Sequence, residues 1–242
     1  MLGFKTTVIF GLAMLACLVS GGSIQAETYR DKTHHFEIDL PAGWVPMSDS
    51  ELSAINGFAN MRLGGAVSYV QGFRRKGTQP GTFPYALVQF KEGSINASYD
   101  EIESSFAREL PGAVKKVEGS LSDLTKNISV GNAVLDRLHD RIVIRMQMDL
   151  PGIGTAQCLS VGHIGSEGII FVHCYAKDNA FASSLRSFND LNDGFEYDQG
   201  YTFKPSQGGG ALGGGLRGGI VGAVVALVVG GVLFALKAVK IL

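Results

Sequence analysis

Apolar and polar residues alternate along several short segments of the chain, and each such segment predicts a half-buried β-strand. The first runs from His34 to Leu40 and is ended by Pro41. The longest runs from Arg141 to Leu150 and has apolar residues at every second position. Further strands are predicted over 66–73, 85–90, 155–164 and 168–177, with a short one over 132–136.

Helices are predicted where a serine is followed three residues later by a glutamate, because the two residues can cap the first turn reciprocally. Such capping boxes occur at 48–51 and 98–101. The second of these helices is expected to end at Leu110, since Pro111 and Gly112 follow.

A last helix is expected after Asp178, which is predicted to cap it. Three apolar residues then recur at helical spacing, namely Phe181, Leu185 and Phe188. Strands interrupted by helices, together with antiparallel hairpins, indicate an α+β fold. We expect a mainly antiparallel sheet covered by helices.

Two short motifs resemble the PsbP/Mog1/DcrB-like family. One is the first predicted strand together with the segment that follows it, from Pro41 to Trp44, ahead of a capped helix. The other is the closing helix, which runs from Phe181 to the Ser-Phe pair at 187–188. The resemblance covers about residues 28–190. It implies an α/β/α sandwich and small accessory or binding proteins rather than enzymes, and it carries no set of catalytic residues.

The two ends of the chain are hydrophobic. Residues 218–236 form a run of nineteen without a charge, which as a helix would be about 28 Å long and could span a bilayer. Residues 1–26 are typical of a signal peptide cleaved after Ala26; lipidation of Cys17 and an uncleaved anchor remain alternatives. The expected order is signal peptide (1–26), exported domain (27–201), Gly-rich linker (202–217), transmembrane helix (218–236) and cytoplasmic tail (237–242).

This order predicts a single-pass protein of a cell membrane, most simply a bacterial inner membrane, with the domain on the periplasmic side. Lys237 and Lys240 in the tail agree with the positive-inside rule. Lipid would surround the C-terminal helix. One face of that helix carries only small residues, which allow another helix to approach closely, either a second copy or a partner. These residues are Gly218, Gly222, Ala226 and Gly230.

Cys158 and Cys174 are the cysteines that remain after removal of the signal peptide. If 165–167 is a three-residue turn, the hairpin register places them directly opposite each other, within disulfide range. We therefore expect a disulfide, which an exported domain permits. A turn of two or four residues would put the two sulfurs on opposite faces, and two buried thiols are the alternative.

Other candidate chemistry is sparse. Arg74, Arg75 and Lys76 form a basic tip between two strands, which could contact anionic lipid or an acidic partner, or could simply be solvated. The row His35, Glu37 and Asp39 has metal-ligand side chains, but its members are too far apart along a strand to share an ion unaided.

His163 and His173 are expected to share one face of the hairpin about four residues apart, which is too far for one metal. No nucleophile-elbow or nucleotide-loop motif occurs, and a net charge of −1 gives no indication of nucleic-acid binding. We expect no cofactor and no metal.

These patterns favour a membrane-tethered, non-enzymatic accessory or binding module of the cell envelope. Two alternatives stay open. One is a subunit that assembles through the small-residue helix face, and the other is an envelope hydrolase whose site residues are dispersed in the sequence.

Overall fold

The computed structural model describes residues 27–63, 67–79 and 81–206. Three helices lie in these ranges: α1 (Asp49–Leu63), α2 (Tyr99–Ser120) and α3 (Asp178–Asp193). The strands are β1 (Glu27–Asp31), β2 (Phe36–Leu40), β3 (Trp44–Pro46), β4 (Gln71–Arg75), β5 (Tyr85–Glu92), β6 (Lys126–Val130), β7 (Val134–Asp136), β8 (Arg141–Leu150), β9 (Gly154–Ile164), β10 (Gly168–Lys177) and β11 (Phe195–Tyr197).

The strands form two antiparallel sheets. In the large sheet the order is β3-β4-β5-β10-β9-β8-β6, and β7 also pairs with β8. In the small sheet the order is β1-β2-β11. The central strands β5 and β10 are buried along most of their length on both faces.

Three layers result from the alternation of side chains on the large sheet. On one face, Leu87 and Tyr175 pack with the apolar residues of α1, and Ile144 packs with the first half of α2. On the other face, Val88 and Val172 pack with α3 and the small sheet. The expected α+β architecture, a mainly antiparallel sheet covered by helices, is confirmed.

The clearest sequence signals are reproduced closely. Strand β8 has the predicted bounds, and its five alternating apolar residues are buried. The predicted capping box of α2 is present at Ser98 and Glu101. At α1, the Ser48 N–H donates to Glu51 Oε2 over 2.8 Å, and the Glu51 N–H donates to Ser48 Oγ over 3.3 Å. In α3 the apolar stripe packs as predicted, but Lys177 occupies the N-cap position and makes no side-chain capping bond.

Helix α2 does not end at Leu110, as predicted, but continues through Pro111 to Ser120. Proline in a helix interior costs about 3 kcal/mol, because it removes a hydrogen bond and clashes with the preceding turn. The apolar stripe nevertheless continues beyond it, with Ala113 and Val117 buried. Burial of this second half offsets the proline.

Strand β4 begins five residues later than predicted. The preceding segment is held by a side chain rather than by a strand ladder. The Asn56 amide donates to the Tyr69 carbonyl over 2.9 Å and accepts from the Tyr69 N–H over 2.8 Å.

The register of the β9–β10 hairpin corrects the disulfide prediction. Ile164 pairs with Ile169, so the turn has four residues rather than three. Cys158 therefore lies opposite Tyr175, and Cys174 lies opposite Leu159. The two thiols point to opposite faces of the sheet, where both are free and buried. Burial raises the pKa of both thiols.

The same one-residue change in the hairpin register places His163 and His173, which were expected to share a face, on opposite faces of the sheet. His163 lies on the side of the small sheet, with its ring stacked on Phe195 at 3.9 Å. His173 lies on the face that packs against α1 and α2, in a T-shaped contact with Tyr69.

None of the helices in the described ranges is long and apolar enough to cross a membrane. The predicted signal peptide (1–26) and transmembrane segment (218–236) lie outside those ranges, as does the small-residue face. The described chain continues past Tyr201: Phe203 is buried, and the Ser206 N–H donates to the Ala97 carbonyl over 3.2 Å.

Candidate functional site

A cleft of about 690 Å³ opens where the two sheets end side by side. We call it the hairpin cleft. It is lined by the loop between β1 and β2 (Thr33 and His34), the end of β5 and the residues after it (Phe90 and Glu92 to Ser94), the tip of the β9–β10 hairpin (Ser166 to Gly168), and Tyr197 and Tyr201.

An aspartate fixes the loop between β1 and β2. One oxygen of Asp31 accepts the N–H groups of Thr33 at 2.8 Å and His34 at 3.0 Å, and the other lies 2.8 Å from His34 Nδ1. This carboxylate favours a proton on Nδ1. The imidazole is also held against the Phe90 ring at 4.8 Å. The histidine therefore forms a preorganised wall of the cleft.

Backbone hydrogen bonds fix the hairpin tip to two other walls. The Gly93 N–H donates to the Glu167 carbonyl over 2.9 Å, and the Ser166 N–H donates to the Tyr201 carbonyl over 2.9 Å. The Tyr201 ring is stacked on His35 at 3.7 Å. Residues distant in sequence thus form one rigid rim.

Tyr197 separates the hairpin cleft from a second hollow of about 280 Å³. Its hydroxyl donates to the His163 carbonyl over 2.8 Å, and burial raises its pKa. A Cβ at Gly165 would lie 2.7 Å from the Tyr197 ring, so this glycine permits the close approach. The tyrosine ring is therefore locked in position.

Among the described residues that line the hairpin cleft, two carry a carboxylate, Glu92 and Glu167. Glu92 lies opposite Gly168 in the β5–β10 pairing, so its backbone is next to that of Glu167. Both glutamates are exposed, and neither forms a salt bridge with a described residue. Alternation along β5 directs Lys91 to the other face of the large sheet.

A separate cluster of polar side chains is buried on the face of the large sheet that packs against α1 and α2. His173 Nδ1 lies 2.9 Å from Ser160 Oγ, whereas His173 Nε2 and both amide atoms of Gln89 have no hydrogen-bond partner in the described structure. Burial and the nearby Lys91 lower the pKa of His173 to about 3. Since His173, Gln89 and Ser160 are fully buried, this group is inaccessible to a substrate.

Two of the three residues of the basic tip, Arg74 and Arg75, make contacts with other parts of the fold. Arg74 Nε donates to Glu51 Oε1 over 2.9 Å. Arg75 donates to Ser187 Oγ over 2.8 Å and lies 5.3 Å from the centre of the Trp44 ring. Lys76 alone of the three is exposed. The tip and the hairpin cleft share no residue.

Sequence reasoning identified none of the cleft residues as a site. His34 was placed on a strand, whereas it lies in the turn before β2, and the row His35, Glu37 and Asp39 does not converge with other ligands. In the described ranges, no group of three or more metal-ligand side chains could hold an ion. One sequence signal could have indicated the cleft. The Gly-Ser-Glu turn at 165–167 is polar, so its glutamate is expected to be exposed at the tip of the hairpin.

The chain matches no protein-family model and no curated protein. In structure it is similar to PsbP of the cyanobacterium Synechocystis sp. PCC 6803, with 12% sequence identity and a TM-score of 0.49 over 76% of this chain and 98% of that one. It is also similar to Mog1p, a Ran-binding protein of Saccharomyces cerevisiae, with 9% identity and a TM-score of 0.39 over 72% and 96% of the two chains.

Proposed function

We propose that this protein is a non-enzymatic accessory module that binds a protein partner through the hairpin cleft on the extracytoplasmic side of a membrane. One observation carries the binding role: the cleft is an open concavity whose walls come from separate segments, each fixed by hydrogen bonds or ring stacking. Preformed concave sites of this volume are typical of binding sites.

The membrane part of the proposal rests on the sequence. The uncharged run 218–236 is long enough to span a bilayer, and the hydrophobic N-terminal segment would direct the domain across it. Ser206 lies only eleven residues before Arg217, which precedes that run. Fully extended, residues 207–217 would reach at most about 40 Å.

Affinity purification of the tagged, full-length protein from gently solubilised membranes tests this function. Replacement of Tyr201 by Ala removes one wall of the cleft, so a genuine partner should be recovered at least tenfold less with this variant. Glu118→Gln, on the exposed side of α2, is the control and should retain the partner. Recovery of only further copies of the chain would reject the proposal and favour the self-assembling subunit.

A hydrolase is the second candidate because the Asp31–His34 pair shares the cleft with the hydroxyls of Ser94 and Ser166. An imidazole oriented by a carboxylate acts as a general base when a hydroxyl or water lies within hydrogen-bond reach. Turnover of nitrophenyl esters by the full-length protein that is lost in His34→Gln would support this candidate. A rate equal to that of buffer would reject it.

A further inference from the structure

We infer that the hairpin cleft binds a positively charged side chain, arginine or lysine, of a protein partner. This inference rests on the proposed binding function and specifies the chemistry of the partner. It begins from the charges on the cleft wall. Glu92 lies at the end of β5 and Glu167 in the adjacent hairpin turn, and none of the described residues that line the cleft is a lysine or arginine.

The two glutamates are not explained by the stability of the fold. Neither glutamate forms a salt bridge to a described residue. Arg30, the cation of β1, is paired with Asp198 at 2.6 Å. Lys32 is exposed on the loop but does not line the cleft.

The remaining walls suit an organic cation rather than a small metal ion. Phe90 and Tyr201 contribute aromatic rings, and cations are attracted to the faces of such rings. The aliphatic part of an arginine or lysine can pack on these rings while its charged end reaches the carboxylates. A volume of about 690 Å³ accommodates such a side chain together with its neighbours.

Two matched peptides test the inference. One carries three arginines separated by glycines, and in the other each arginine is replaced by citrulline, which has nearly the same shape without the charge. We expect the full-length protein to bind the arginine peptide at least tenfold more tightly in a fluorescence anisotropy titration. Equal binding of the two peptides would overturn the inference.

The double variant Glu92→Gln/Glu167→Gln gives the second readout. It should weaken binding of the arginine peptide at least tenfold, because both carboxylates of the cleft are then neutral amides. Glu118→Gln removes one exposed carboxylate away from the cleft and should leave peptide binding unchanged. A double variant that binds as tightly as the parent protein would overturn the inference.

The outcome for the partner separates this inference from the proposed function. If the double variant retains the purified partner while Tyr201→Ala loses it, the cationic specificity is wrong and the binding function stands. If the arginine peptide binds through the glutamates but no partner depends on Tyr201, the cation site stands and the accessory function is wrong.

Discussion

Two buried histidines link the stability of the domain to pH. The pKa of His163 is lowered to about 3, chiefly by burial, with a further contribution from Arg141; a hydrogen bond from His163 Nε2 to Asn192 Oδ1 opposes the shift. The pKa of His173 is also lowered to about 3 by burial and by Lys91. Both side chains are therefore neutral in the folded domain, while an unfolded histidine takes up a proton near pH 6.5.

The sign of the effect follows from these protons. Below about pH 6.5 the unfolded chain binds protons that the folded domain does not, so stability falls as the pH decreases towards 3. Each histidine contributes up to about 1.4 kcal/mol per pH unit. Urea unfolding between pH 7 and pH 5 should therefore show a loss of stability that is smaller in His163→Phe/His173→Phe.

The control for this measurement changes packing without removing a titrating group. Phe195→Leu disturbs the ring that stacks on His163, so it should lower stability by a similar amount at both pH values. A double histidine variant with the same pH dependence as the parent protein would show that these two side chains do not govern the slope.

At the scale of the elements, α2 shows a conflict between local preference and packing. Pro111 lies inside the helix, yet the buried stripe continues on both sides of it through Leu110 and Ala113. Replacing Pro111 by Ala should restore a backbone donor and remove the clash with the preceding turn. We expect a gain of about 1–3 kcal/mol in the free energy of unfolding, measured with urea.

Gly112→Ala provides a calibration for this gain. A Cβ at Gly112 meets no atom within 4 Å, so this substitution changes only helix preference, by about 1 kcal/mol. A loss of stability in Pro111→Ala would mean that the proline contributes to packing or to the course of the helix, and that its cost has been overestimated.

The elements that the sequence predicts well are those whose signal is local. The alternation of β8 and the serine–glutamate caps depend on residues a few positions apart, and both are confirmed. The predicted length of α2 was wrong because burial of Ala113 and Val117 outweighs the local stop signal at Pro111. Local preference yields to burial when the apolar stripe continues past the break.

The hairpin register and the cleft could not be predicted in this way. Gly165 pairs with Thr202, and the Ser166 N–H donates to the Tyr201 carbonyl, so the turn geometry depends on a segment more than thirty residues further along the chain. A one-residue change in register moves every side chain to the other face. The disulfide prediction failed for that reason, and the cleft walls likewise meet only in the folded chain.

At the scale of the whole molecule, the cleft and the proposed anchor lie close along the chain. Tyr201 lines the cleft and the Ser206 N–H donates to the Ala97 carbonyl, so the last described residues lie near the cleft. Under the proposed topology, the cleft would be at the end of the domain nearest the membrane. A partner would then most readily be a protein of the same membrane, which could contact both the cleft and the C-terminal helix.

This arrangement gives the small-residue face a testable role. Gly222 and Ala226 lie four residues apart, so on a helix they form part of one face without bulk, where another helix can approach closely. Gly222→Leu/Ala226→Leu would fill that face without reducing hydrophobicity. We expect this double variant to lower recovery of a membrane partner while the domain still binds the arginine peptide, because the cleft is unchanged.

Val224→Leu/Val228→Leu is the control, since on a helix these residues would lie on a different face and they also become leucines. If both double variants reduce recovery equally, the bulk of leucine perturbs insertion in general and the face has no specific role. If neither does, the helix is an anchor alone, and the partner is held by the cleft. Loss of recovery confined to the small-residue variant would show that the hairpin cleft and the C-terminal helix both contact the same complex. The cleft would then recognise charge, and the helix would pack closely against a partner helix in the lipid.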